Sequence, residues 1–157
     1  MSDMSVFSHK SLSMTVLMTP DKANFTGNVH GGEILKLLDQ VAYACASRYC
    51  GSYAVTLSVD KVTFKTAIRV GEFVTFLANV NYVGRSSMEI GIKVVSEDLK
   101  KGTVRHTNTC YITMVSVDDE GKPQKVPPLE LKDVEDKRRY QEGEARKKRR
   151  LIEAKER

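Results

Sequence analysis

Cysteine is scarce in this chain of 157 residues: Cys45, Cys50 and Cys110 are odd in number, lie inside apolar patterns and form neither a CxxC pair nor a motif with histidine. A disulfide framework and a zinc site are therefore not expected, and the three thiols read as structural. Long apolar runs are missing as well. Nothing approaches the roughly 20 residues that cross a bilayer, and the opening MSDMSVFSHK lacks the apolar centre of a secretory signal, so a cytoplasmic chain without a membrane span is expected. No helix-turn-helix, zinc finger or RNA-binding aromatic motif is present, so no specific nucleic-acid partner is expected.

Charge of both signs is abundant, and its distribution says more than its sum. Of the formal +5, residues 137–157 (KRRYQEGEARKKRRLIEAKER) carry +6 from ten Lys or Arg against four Glu, which leaves −1 on the preceding 136 residues. The tail is rich in helix formers but has almost no apolar face beyond Tyr140, Ala145, Leu151 and Ile152. It reads as a solvated, partly frayed surface helix outside any catalytic unit, with contact to nucleic acid or an anionic surface as the sharper alternative. The near-neutral body, in a chain with 41% hydrophobic residues, suits one substantial core rather than two.

Residues 21–51, DKANFTGNVHGGEILKLLDQVAYACASRYCG, concentrate the chemistry. At 100° per residue, Ile34, Leu37, Leu38, Val41, Ala42, Cys45 and Tyr49 spread over a wide arc, while Lys36, Gln40, Tyr43 and Ser47 share a narrow polar stripe. This predicts a mostly buried helix, closed by Gly51. Gly31 and Gly32 stand at its start, where free N–H groups point outward and the backbone can approach a ligand. Asp39 falls on the edge between stripe and arc, where a carboxylate is either partly desolvated or simply solvated. Helix-start amides and a nearby carboxylate are two parts that acyl-group hydrolysis needs. His30 beside the glycines suggests a catalytic base, but no acidic partner at a motif spacing accompanies it, so loop packing is the plainer role.

The rest of the body reads as strands at residues 11–18, 54–68, 72–83, 87–97 and 103–117, each rich in Val, Ile, Thr, Phe or Tyr. Turns fall at 69–71, 84–86, 98–102 and 118–123. In the first strand Leu12, Met14, Val16 and Met18 share one side. Short links imply antiparallel neighbours, so an α+β architecture follows: an antiparallel sheet curled around one long central helix. Such a sheet leaves an edge open, which favours pairing with a second copy.

The run MTPDKANFTGNVHGGEILKLLDQ, the strand LSVDKVTF, the turn GRSSMEI and the segment DDEGKPQKVPPL followed by EDKRRYQEGEARKK resemble the hot-dog-fold acyl-CoA thioesterases. Among these the chain is most similar to the cytosolic long-chain acyl-CoA hydrolase group and its bacterial single-domain relatives. The resemblance implies a flexible N-terminus at 1–10, a hot-dog domain at 11–129 and a charged helical tail at 130–157. It also implies a homodimer assembling to a hexamer, as a trimer of dimers, and hydrolysis of fatty acyl-coenzyme A to free acid and coenzyme A. No cofactor or metal is implied, coenzyme A being part of substrate and product. Carried over by position, the catalytic asparagine is Asn24 and the catalytic acid Asp39, meeting from opposite protomers. In the vertebrate relatives two hot-dog domains are fused and share these roles, whereas this chain holds both residues, so a homodimer should have two equivalent sites.

An amide at the helix start, that of Gly32, suits the oxyanion that forms at a thioester carbonyl. Asp39 would act as general base on water or as nucleophile through an anhydride, and Asn24 would orient the water or the carboxylate. Gly31 and His30 are expected to touch substrate. Gly84, Arg85, Ser86 and Ser87 supply amides, hydroxyls and a guanidinium for the phosphates of coenzyme A, although a plain hairpin turn would look the same. Asp60 is read as a paired strand residue rather than a catalytic one. Two other classes stay open: a non-catalytic acyl-CoA-binding sensor, and a hydroxyacyl-thioester dehydratase using His30 and Asp39.

Overall fold

The periodicity of residues 31–50 resolves into one helix, α1 (Gly31–Cys50), in a computed structural model that describes residues 9–157. Of the expected flexible start, residues 1–8 lie outside the described residues. His30 caps α1, its Nδ1 accepting the Gly32 amide at 2.8 Å, and Gly51, left-handed at φ 70°, closes it. The arc expected to be buried is buried, with Ala46 added to it, while Lys36, Gln40 and Tyr43 stay exposed.

Five strands take the antiparallel arrangement that short connections dictate. β1 (Ser11–Leu17), β2 (Tyr53–Val59), β3 (Phe73–Val83), β4 (Ser87–Asp98) and β5 (Thr103–Val117) form one sheet in the order β1-β3-β4-β5-β2. Alternation sends Val74, Phe76, Ala78 and Val80 of β3, Met88, Ile90, Ile92 and Val94 of β4, and Cys110, Ile112 and Met114 of β5 into one buried core with α1. This is the α+β hot-dog arrangement, a sheet wrapped on a central helix.

One strand is shorter than its sequence suggests. Residues 54–68 read as a single strand, yet β2 stops at Val59 and adds only one more bond, from the Asp60 amide to the Tyr111 carbonyl at 2.9 Å. β2 is an edge strand held by β5 alone, and Val- and Thr-rich propensity does not by itself keep residues 61–68 on that edge. The chain instead crosses to the loop before α1. There the Ile68 carbonyl accepts the Val29 amide at 2.8 Å, Arg69 bridges to Asn28, and the Phe64 ring lies against Gly31.

The tail departs further from expectation. Far from being a solvated, frayed helix, α2 (Val134–Lys155), capped by Asp133, is docked on the sheet face opposite α1. Tyr140 meets Tyr82 with ring centroids 4.8 Å apart. Arg146 pairs with Glu89 at 2.6 Å and lies 3.6 Å over the Tyr111 ring, and Lys10 pairs with Asp136. Gly143 allows the approach: a Cβ there would come within 2.8 Å of the Tyr82 Cβ, which accounts for a glycine that costs about 1 kcal/mol of helix propensity. Hydrophobic periodicity does not reveal this contact, because tyrosine, glycine and arginine make it in place of an aliphatic stripe.

Candidate active site

Asp39 stands about two turns into α1, exposed, where the buried face meets the solvent strip. β2 brings Thr56 to it, and the Thr56 hydroxyl donates to Asp39 Oδ1 at 2.5 Å. The β2–β5 ladder shifts register between Thr56 and Ser58, a bulge of the kind that re-aims a side chain. Thr56 is the residue sequence reading missed; the only hint was a threonine in a strand facing the helix that carries the acid. Leu35 and Tyr43, one turn on either side of Asp39, are exposed, and so are Tyr53, Val55, Leu57 and Val59 along β2, Leu57 by 66%. A carboxylate beside an uncovered apolar strand with free edge amides and carbonyls lies on a surface suited to being covered.

The loop ahead of α1 is closed by a bridge between Ala23 and Val29, with the Asn24 amide donating to the Asn28 carbonyl at 2.7 Å. Inside it Asn24 Oδ1 accepts from the Thr26 amide at 2.9 Å and from the Thr26 hydroxyl at 2.5 Å. That is an Asx turn, which fixes the side chain through Oδ1; among the described residues Nδ2 makes no hydrogen bond. Among the described residues Asn24 and Asp39 make no hydrogen bond to each other: each is held by its own neighbours. His30 supports α1 as its cap, and Nδ1 occupies the Gly32 amide expected to receive an oxyanion. The imidazole is exposed, so an incoming carbonyl oxygen can replace it as acceptor without disturbing the core.

At the far end of β3 the 84–87 turn is tightly pinned. The Gly84 amide donates to Ser87, and the carbonyls of Arg85 and Ser86 accept from Val126 and Ser116, each at 2.8 Å. Asp60, half-buried, has Arg150 of α2 at 3.9 Å as its cation. Burial pushes the thiols of Cys45 and Cys110 up to about 12, too high for a nucleophile at neutral pH. Among the described residues no cluster of His, Cys, Asp or Glu is placed to hold a metal, and no helix is long and apolar enough to cross a membrane.

The fold is a hot-dog sheet that presents a helix-borne carboxylate, held by a strand hydroxyl, beside an open edge strand. Residues 26–119 match the thioesterase superfamily, and the chain belongs to that family. It is 54% identical over 137 residues to protein VdlD of Helicobacter pylori, covering 87% of this chain and 78% of that protein. It is 33% identical over 141 residues to the cytosolic acyl coenzyme A thioester hydrolase of Mus musculus, covering 88% of this chain but 37% of the mouse protein. A solved hexameric acyl-CoA thioesterase superposes with a TM-score of 0.87 at 36% identity over 92% of both chains.

Proposed function

We propose that the protein hydrolyses the thioester of fatty acyl-coenzyme A, releasing a free acid and coenzyme A, in sites shared by two protomers. The observation that carries this reading is the Asp39 carboxylate held through one oxygen by Thr56 beside the bare apolar edge of β2. Holding Oδ1 leaves Oδ2 to act. As a general base it takes a proton from water as the hydroxyl adds to the carbonyl carbon, the C–S bond then breaks, and the proton passes to the departing thiolate. As a nucleophile it adds to the carbonyl carbon, the C–S bond breaks to release the coenzyme A thiolate, and water then hydrolyses the anhydride to the free acid and the Asp39 carboxylate. Both routes place negative charge on the carbonyl oxygen, where the Gly32 amide takes over from its bond to His30.

Asn24 is the second catalytic group, supplied by the partner protomer, with Nδ2 free to orient the water or the carboxylate. Pairing of two β2 edges would satisfy the open backbone groups, cover Tyr53, Val55, Leu57 and Val59, and bring the partner's loop toward Asp39. Three such dimers would give the hexamer seen in a relative of similar length. A cytoplasmic setting and a role in fatty acid metabolism fit a relative named as cytosolic. The dehydratase alternative is less favoured, because among the described residues no carboxylate pairs with His30, whose Nδ1 caps α1 in the free protein.

The test is thiol release from a panel of acyl-CoAs by the wild type and by Asp39→Asn. Substitution is expected to leave fold and assembly intact and to lower turnover by about two decades or more. Thiol release near the wild-type rate from the folded variant removes Asp39 from the mechanism. Binding without any release by the wild type favours the sensor.

A further inference from the structure

We infer that the buried ion pair of Glu72 with Arg105 positions the catalytic loop: it clasps the return of the chain into β3 and so fixes the segment that presents Asn24. Its catalytic meaning rests on the reading of Asn24 as the second catalytic group; the clasp itself is geometry.

Glu72 stands immediately before β3, only 4% exposed, with both carboxylate oxygens engaged. Oε1 accepts the Arg69 amide at 2.8 Å and Arg105 Nη2 at 2.9 Å, and Oε2 accepts Nη2 at 2.7 Å. The same guanidinium, half-buried on β5, donates to the Ala67 carbonyl at 3.3 Å. The Glu72 backbone adds a third element: its carbonyl accepts the Met18 amide at 2.9 Å, and the Met18 carbonyl accepts the Gly71 amide at 2.8 Å. The exit of β1, the start of β5 and the entry to β3 are therefore tied at one point.

The Asn24 loop hangs from that point. It leaves the chain directly after Met18, and its far side is held by the residues that Glu72 and Arg105 grip. Arg69 bridges to Asn28, the Ile68 carbonyl accepts the Val29 amide at 2.8 Å, and the Asn28 carbonyl accepts the Asn24 amide at 2.7 Å. A continuous path runs from Arg105 through Glu72, Arg69 and Asn28 to Asn24. Residues 60–68 form no strand, so the clasp supplies the fixing that a ladder would otherwise give.

A buried ion pair is a poor means of gaining stability, because desolvation of both charges offsets most of their attraction and packed apolar side chains often serve as well. What it supplies is direction: a carboxylate holds a backbone amide and a guanidinium at once, in one geometry. An asparagine that must meet a carboxylate on another protomer depends on such direction, since a misplacement of about 1 Å can cost about 100-fold in rate.

The experiment compares thioesterase kinetics, melting temperature and amide hydrogen exchange for wild type, Glu72→Ala, Glu72→Gln and Arg105→Ala. Well below its melting temperature, Glu72→Ala is expected to lower kcat about ten-fold with KM within two-fold. The Asn24 and Val29 amides should exchange faster in it, while those of β4 keep wild-type protection. Glu72→Gln retains an acceptor for the Arg69 amide and should recover most of the kcat. Arg105→Ala, at a half-buried position, carries the test if Glu72→Ala does not fold, with kcat expected to fall about five-fold.

Mixed dimers separate positioning from general weakening. When Asn24→Ala and Asp39→Ala chains are combined, the intact site takes its asparagine from the Asp39→Ala chain. Adding Glu72→Ala, or Arg105→Ala in its place, to that chain should lower the recovered activity several-fold, whereas adding it to the Asn24→Ala chain should change it less than two-fold. Equal losses from both placements, or a wild-type kcat in the folded variants, overturn the inference and leave the thioesterase reading intact. If no mixture recovers activity, the shared site fails as a reading; loss of kcat joined to faster exchange at Asn24 then still supports the clasp, and loss without it overturns it. Full activity of Asn24→Ala removes the role of that residue and the inference with it.

Discussion

Asp39 acquires its place from three neighbours that differ in distance along the chain. The α1 register sets it at the margin of the buried face, the β2 bulge delivers Thr56, and the exposed Leu35 and Tyr43 flank it on the helix. A carboxylate pinned through one oxygen has a fixed direction for its second oxygen, which is the geometric requirement of a base or nucleophile acting on a bound thioester. Thr56→Val keeps the shape and removes the donor. It is expected to lower kcat about ten-fold while leaving the melting temperature within a few degrees, measured by thiol release and thermal unfolding. An unchanged kcat would make the hydroxyl a structural contact only.

At the level of elements, α2 is the part whose role changed most between sequence and structure. Glu89 is only 4% exposed and relies on Arg146 for its counter-charge, with Asn81 Nδ2 as a weaker donor at 3.3 Å. Arg146→Ala leaves that carboxylate buried and unpaired, and stability is expected to fall by about 3–5 kcal/mol in chemical denaturation. Replacing both partners by apolar residues, as in Arg146→Met with Glu89→Leu, should recover most of the loss, because no orphan charge remains. Truncation from residue 146 onward should likewise destabilise the sheet, unlike the loss of the solvated, partly frayed surface helix that composition suggests. Full stability in Arg146→Ala would show that water reaches Glu89 and that the ion pair is not needed.

Across the whole molecule, the single chain leaves its proposed machinery divided. Asn24 is held in its own loop and Asp39 by Thr56, without a hydrogen bond between them among the described residues. If the two meet across a dimer, mixing inactive Asn24→Ala and Asp39→Ala chains should restore activity. A mixed dimer holds one intact site and one doubly damaged site, and random exchange makes about half the dimers mixed, so recovery should approach roughly a quarter of wild-type sites. Subunit exchange confirmed by mass, with no recovered activity, would place both residues in one chain's site or remove one of them from it.

Much of this molecule could be read from one sequence, because local periodicity carries the information that burial needs. The arc of α1, the existence of the strands β3, β4 and β5, the cap at Gly51 and the antiparallel pairing all follow from side-chain spacing and short turns. Asn24 and Asp39 could be named because motif resemblance points to positions, and Gly31, Gly32 and the 84–87 turn because their residue types suit ligand approach. Only the tertiary structure decided what depends on residues far apart in the chain. It ended β2 at Val59 and sent the following residues to the loop before α1, set Thr56 on Asp39, gave the Gly32 amide to His30, and laid α2 on the sheet through Tyr140, Gly143 and Arg146. A hydrogen bond or ion pair between distant residues leaves no period in the sequence; it exists only where the fold has already brought donor and acceptor together.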